Sequence, residues 1–254
     1  MEMTSRSPRR IAGCTAAALL LTLAACSGGA ARADHWSAGC REGHRIALTF
    51  DDGPNPPFTE QILAILESHN AVATFFDEGQ AAESGPDVVR REVALGMAVG
   101  SHSYTHAKNL PDVRRGDFVR DVQQAEDALT PLLGYRPALY RAPYGDTSDT
   151  MLAALHDAGY VSVGWDVDAT DWKLDASADD VVGNVLDQVH PGAIVLMHDG
   201  GLGGGTADRS ATVAALPRII DGLRNRGYAF ATIPDLTGAP AEHGGQRRSV
   251  CWAN

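Results

Sequence analysis

Short apolar runs alternate along this chain with longer segments whose apolar residues recur every three or four positions. The short runs predict strands at 45–50, 73–76, 97–100, 139–141, 161–165, 193–197 and 229–233. The longer segments predict helices at 59–68, 87–94, 117–132, 148–158, 178–189 and 214–226. Ile62, Leu63, Ile65 and Leu66 share one side of the first of these, and Val122, Ala125 and Leu129 are spaced three and four apart in another. Gly96, Gly134, Gly159 and Gly227 stand where helices should close. Regular βα alternation without an internal repeat predicts one α/β barrel-like domain with a parallel sheet, spanning about 40–237. Residues 238–254 form a Gly-, Ala- and Pro-containing C-terminal tail.

The N-terminal residues do not fit this pattern. Arg6, Arg9 and Arg10 precede an apolar run over 11–26 that is short for a membrane span, which describes a secretory signal. Leu23, Ala24, Ala25 and Cys26 resemble a bacterial lipobox, so residues 1–25 are expected to be removed and Cys26 to carry the lipid, with 26–39 as a flexible tether. An ordinary signal cleaved near Ala33 is the alternative, and either places the domain outside the cytoplasm. There, Cys40 and Cys251, left after Cys14 and Cys26 are assigned, are expected to pair.

Charge narrows the partners. The chain carries a formal net charge of −11, and loss of three Arg and one Glu with residues 1–25 takes it to −13. Such a surface excludes a nucleic-acid footprint and leaves the lipid at Cys26 as the membrane contact. A monomer is expected.

Candidate chemistry gathers at the strand ends, whose outgoing loops converge on one face of a parallel barrel. Asp51 and Asp52 end the first predicted strand, and residues 101–106 follow the third. Arg141 to Tyr144 follow the fourth, Asp168 to Trp172 the fifth, and His198 and Asp199 the sixth. His102 and His106, four apart, would share one side of a helical turn. With a carboxylate from the first strand they make a three-ligand set that leaves positions for water and substrate. The same set could instead hold Fe(II) for oxygen chemistry.

The stretches TFDDGP, HSYTH, RAPYG, DATDW and IVLMHD, in this order, resemble the five motifs of the polysaccharide deacetylases, the NodB-like carbohydrate esterase family 4. The resemblance implies a distorted (β/α)7 barrel in a single domain. It also implies metal-dependent removal of N- or O-acetyl groups from an acetylated polysaccharide or oligosaccharide: peptidoglycan, chitin oligomers or acetylxylan. It makes Asp52, His102 and His106 the ligands, usually of zinc, with cobalt or another divalent transition metal as the alternative. Asp51 becomes the base that takes a proton from the metal's water, held by Arg141, and His198 the acid, oriented by Asp171. The Tyr144 backbone N–H would stabilise the oxyanion, and Tyr144, Trp172 and Leu196 would shape the pocket for the acetyl group. A non-catalytic envelope glycan-binding barrel is the rival reading.

The chain departs from the family pattern at two places. Asp77 stands where an apolar residue is usual, and Met97 with Ala98 where His-Glu is common. Asp166 and Asp168 are read as solvated loop acids, and Asp146, Asp199 and Asp208 as turn or cap acids. Spacing suggests no partner for His35, His44, His69, His156, His190 or His243.

Overall fold

The computed structural model describes Met1 and residues 35–108, 114–205 and 207–250. The expected leader, the lipid site at Cys26, residues 26–34 and the bridge to Cys251 fall outside the described residues. Cys40 itself is buried.

Among the described residues nine strands pair in parallel: β1 (His35–Trp36), β2 (Arg45–Asp51), β3 (Thr74–Asp77), β4 (Ala98–Ser101), β5 (Leu139–Tyr140), β6 (Val161–Val163), β7 (Val167–Asp168), β8 (Ile194–His198) and β9 (Ala229–Phe230). Their order is β1-β6-β5-β4-β3-β2-β8-β7, with β9 also beside β2. The path has two ends, so the sheet is a curled, open barrel of the expected distorted (β/α)7 kind. Between the strands run α1 (Phe58–Ser68), α2 (Gly79–Ser84), α3 (Pro86–Ala94), α4 (Arg115–Leu133), α5 (Asp149–Asp157), α6 (Ala178–Gln188), α7 (Ser210–Asn225) and α8 (Ile233–Thr237). The four glycines expected to close helices all have positive φ.

The alternation along β2 decides what the barrel interior receives. Ile46, Leu48 and Phe50 join a core with Ile62, Leu63, Val181 and Ile219 on the helix side. Full burial of side chains of this size is worth roughly 1.5–3 kcal/mol each. Ala47 falls on the other face, in a cluster with Phe76, Leu139 and Ile194. Thr49 and Asp51 share that inner face by the two-residue period, and both meet the buried Arg141.

Three expectations change. The strand predicted over 161–165 stops at Val163, because Arg141 takes the carbonyls of Val163 and Gly164. The strand predicted over 229–233 stops at Phe230, because the Thr232 hydroxyl caps α8 and Pro234 fits its first turn. Within the tether predicted over 26–39, His35 and Trp36 pair with β6 as a strand. The predicted tail is also engaged: the Ala138 N–H donates to the Ala241 carbonyl, and that of His243 to the Arg136 carbonyl.

Candidate active site

The registers bring the predicted rim together. Asp51 lies opposite His198 on β8, and the sheet continues through β3 and β4 to Ser101, which is paired with Tyr140 just before Arg141. Consecutive strand residues point to opposite faces, yet Asp51 and Asp52 both face inward. The reason is that β2 ends at Asp51 and Asp52 has a left-handed φ of 73°, which swings its carboxylate back to the inner side.

Arg141 anchors Asp51. Its Nη1 donates to Asp51 Oδ1 at 2.7 Å and to the Thr49 hydroxyl at 2.7 Å. Its guanidinium carbon also sits 4.1 Å from the Phe76 ring centroid. Both partners are shielded from water, so the charge-assisted bond fixes the carboxylate's position.

His102 and His106 do come together, with ring centroids 4.9 Å apart, but not on a helical turn. Their segment is a loop with left-handed φ at Ser103 (69°) and His106 (52°). Asp121 of α4 holds it, accepting from the Tyr104 N–H at 2.9 Å and the Thr105 hydroxyl at 2.8 Å. The Ser103 hydroxyl accepts from the His106 N–H.

Both imidazoles converge on Asp52. The Nε2 atoms of His102 and His106 lie 3.3 Å and 3.2 Å from Asp52 Oδ1. His102 Nδ1 is 3.0 Å from the Arg141 carbonyl, so it carries a hydrogen, and Nε2 faces the carboxylate. Asp52 Oδ1 is buried and accepts no hydrogen bond from any described residue. Burial alone would raise the Asp52 pKa, but the two imidazoles outweigh it and hold it well below the usual carboxylate value. Burial alone would lower the His102 pKa, but Asp51 and Asp52 outweigh it and raise it. The three side chains offer donor atoms within 4.8 Å of one another. Two imidazoles and a carboxylate around one orphaned oxygen fit a divalent cation, with coordination positions left open.

Across the cavity, His198 Nδ1 is 2.8 Å from Asp171 Oδ1, and the His198 N–H donates to Asp171 Oδ2 at 2.8 Å. The Thr212 hydroxyl donates to the same Oδ2. Burial would lower the His198 pKa, but Asp171 reverses that and pushes it up to about 9. Asp171 is lowered in return: burial would raise it, but the His198 charge and hydrogen bonds prevail.

The cavity between these groups is about 420 Å³. Tyr144, Trp172 and Leu196 line it, as the sequence leads one to expect, together with Trp165, Asp168 and Arg209. Tyr144 has a left-handed φ of 59°, and its ring stands edge-on to His106 with centroids 4.6 Å apart. Asp168 is not a solvated loop acid: it accepts from the Thr170 N–H and the Trp172 indole N–H. Asp166 is exposed in the bend before β7, as expected, but it is engaged there: it accepts from the Ile194 N–H and lies 3.0 Å from His190 Nε2. Arg209 has no signal in the sequence, because it sits in a Gly-rich stretch without periodicity. It is buried, donates to the Gly200 carbonyl at 2.8 Å and places Nη2 3.8 Å from Asp52 Oδ2.

Beside this cavity lies a second group of acids. Asp77, Glu92 and Asp199 are completely buried, Asp199 in the bend that follows β8. Both oxygens of Asp77 and of Glu92 lack a hydrogen-bond donor among the described residues, while Asp199 Oδ2 receives the Thr59 hydroxyl. Burial pushes Asp77 up to about 7 and raises Glu92 and Asp199 well above the usual range. Glu78, next to Asp77, accepts the N–H groups of Gly203 and Gly204, and burial together with Asp52 raises its pKa to about 8. The ends of β2 and β8 also touch: a Cβ at Gly200 would stand 1.7 Å from the Asp52 carbonyl oxygen.

Comparison with known proteins gives consistent matches. A family profile described as polysaccharide deacetylase matches residues 38–163. A peptidoglycan-N-acetylglucosamine deacetylase of Bacillus cereus is 38% identical over 193 residues, covering 75% of this chain and 67% of the relative. A chitooligosaccharide deacetylase of Sinorhizobium fredii is 40% identical over 195 residues, covering 74% and 90%. Among solved structures, a peptidoglycan N-acetylglucosamine deacetylase in complex with 4-naphthalen-1-yl-N-oxidanyl-benzamide superposes with a TM-score of 0.77 at 35% identity, covering 82% of this chain and 95% of that one.

Proposed function

The chain belongs to the polysaccharide deacetylase family, and on that premise we propose that it removes the N-acetyl group from N-acetylglucosamine units of a glycan outside the cytoplasm. The unit is common to the peptidoglycan and chitooligosaccharide named for its relatives. The observation that carries the reading is the opposition of two sets of side chains across one cavity: the buried Asp51, Asp52, His102 and His106 on one side, the half-buried His198 with buried Asp171 on the other.

Asp52, His102 and His106 are the residues that would hold zinc, or cobalt in its place. Such an ion, when bound, lowers the pKa of a water and polarises an acetyl carbonyl. Asp51 is the base. Arg141 occupies its Oδ1, leaving Oδ2 to accept the water's proton. The Tyr144 N–H donates toward the developing oxyanion. His198 is the acid: its Nδ1 is engaged by Asp171, and with a pKa of about 9 the ring is protonated at neutral pH and can hand its Nε2 proton to the departing amine. Leu196 and Trp172 offer apolar surface to the acetyl methyl and to a sugar face.

Among the described residues no helix is long and apolar enough to cross a membrane. Residues 1–25 are read as a signal, Cys26 as a lipid anchor and 40–237 as the catalytic part of a monomer.

Acetate release from peptidoglycan, chitin oligomers and acetylxylan, with and without a chelator, tests the reading. Chelator-sensitive release restored by Zn²⁺ or Co²⁺ is expected. No release from any of the three would leave the non-catalytic glycan-binding barrel in its place.

A further inference from the structure

Arg209 enters the cavity wall from the end of the Gly-rich loop, one residue before α7. A loop arginine ordinarily samples many rotamers in water, but this one is built in, with 8% of its surface exposed. Its segment is held by Asn55, whose Nδ2 donates to the Ala207 carbonyl at 2.9 Å. Its side chain is held as well: Nε donates to the Gly200 carbonyl at 2.8 Å, and Nη1 to the Asp171 carbonyl at 3.5 Å. Nη2 then faces Asp52 Oδ2 at 3.8 Å.

The two neighbouring carboxyls of β2 thus each have an arginine, and the two arginines act differently. Arg141 makes a full hydrogen bond to Asp51 at 2.7 Å. Arg209 is too far from Asp52 for a hydrogen bond and acts through its charge. Asp52 Oδ1 has the His102 and His106 Nε2 atoms at 3.3 and 3.2 Å, while Oδ2 has the guanidinium beside it. One oxygen therefore lies where a cation fits, and the other where a cation already stands. A guanidinium keeps its charge at every ordinary pH, so it opposes a second cation on its own side of the carboxylate.

We infer that Arg209 is a positioning residue of this site: it confines Asp52 to one ligating oxygen, Oδ1, and makes the protein's hold on the ion weaker than the three ligands alone would give. The inference rests on the deacetylase reading above for the use made of that ion. Positions for water and an acetyl carbonyl stay open instead of being taken by Oδ2, and more of the ion's charge is left to polarise them. The signature is a pair of opposite effects. Loss of an ordinary supporting contact weakens metal binding and activity together, whereas loss of Arg209 should tighten the first and slow the second.

The test measures Zn²⁺ affinity of the full chain by competition with a chromophoric chelator, and kcat on chitotetraose, in the natural protein, Arg209→Met and Arg209→Lys. Arg209→Met should bind Zn²⁺ at least about tenfold more tightly, on the scale of one like charge removed at close range. Its kcat should fall by about ten- to a hundredfold. Arg209→Lys keeps the charge without the fork, so its Zn²⁺ affinity should stay within about threefold of the natural value and its kcat should lie between the other two. Weaker or unchanged Zn²⁺ binding by an Arg209→Met protein with the natural circular dichroism overturns the inference, as does an equal tightening in Arg209→Lys. Should Arg209→Met fail to fold, Arg209→Gln, which keeps a donor for the Gly200 carbonyl, is read in the same way. Tighter Zn²⁺ binding by Arg209→Met without acetate released by any of the proteins keeps the role of Arg209 and removes the deacetylase reading instead. A natural chain that binds no Zn²⁺ removes both.

Discussion

Two sets of buried acids sit side by side at one end of this barrel, and burial is offset in one and not in the other. Asp52 and Asp171 are ionised because each faces an imidazole that stabilises its negative charge. Asp77, Glu92 and Asp199 are equally buried but face mainly one another, and burial raises all three. Burial alone therefore does not say what a carboxyl does: its partners decide. The partnered set can accept a cation or orient an acid. The unpartnered set is stable chiefly as neutral carboxylic acids, one of which can hydrogen-bond to its neighbour.

The largest expected effect lies within the partnered set. Asp52→Asn should lose the metal and with it all chelator-sensitive acetate release, read by metal analysis of the purified protein. Asp51→Asn should keep the metal and slow by roughly 10²–10⁴, as loss of a general base does. Equal metal content and equal residual activity in the two variants would erase the distinction between ligand and base. His198→Ala should cost a similar factor of about 10²–10⁴ on an acetamide and less on an acetyl ester, because an alkoxide leaves more readily than an amide anion. Identical losses on both would sink the acid role.

Next in size is stability. Arg141→Met leaves Asp51 buried without its partner and should cost about 3–5 kcal/mol in a denaturant titration, while removing only one charge. The smallest effect sharpens the contrast between the two sets. Asp77 has a folded pKa of about 7, above its unfolded value, so its contribution is fully present below the unfolded pKa and is lost as pH rises through 7. Asp77→Leu should therefore gain stability over the natural chain by about 1 kcal/mol, or roughly 2–4 °C in Tm, at pH 8, and the gain should shrink toward pH 4. The His198 contribution also falls at alkaline pH, from the unfolded pKa up through about 9, but that fall is common to both proteins. A Tm difference that does not change with pH would mean that Asp77 is not protonated in the fold.

What could be read in the sequence follows from length and from position. β2 and β8 are long enough to show apolar patterning, and a parallel sheet sends their C-terminal residues to one rim, so Asp51, Asp52 and His198 could be placed in advance. β1 and β7 have two residues each, too few to carry any period. The left-handed residues of the His102 to His106 loop break the helical spacing that the sequence suggests. Asp121 and Arg209 support the site from α4 and from the Gly-rich loop, through contacts that no local pattern encodes. Asp77 alone signalled the second acid set, as a charged residue in an apolar strand. Glu92 and Asp199 reach it from α3 and from the end of β8, and only the tertiary structure could show that meeting.

Gly200 bears on how this enzyme could work as a moving object. Its backbone lies against the Asp52 carbonyl so closely that a single methyl group would not fit between them. The strand end that would hold the ion and the strand end that presents His198 are therefore one mechanical piece. The separation of Asp51, the proposed base, from His198, the proposed acid, is then fixed by the packing of these two strand ends.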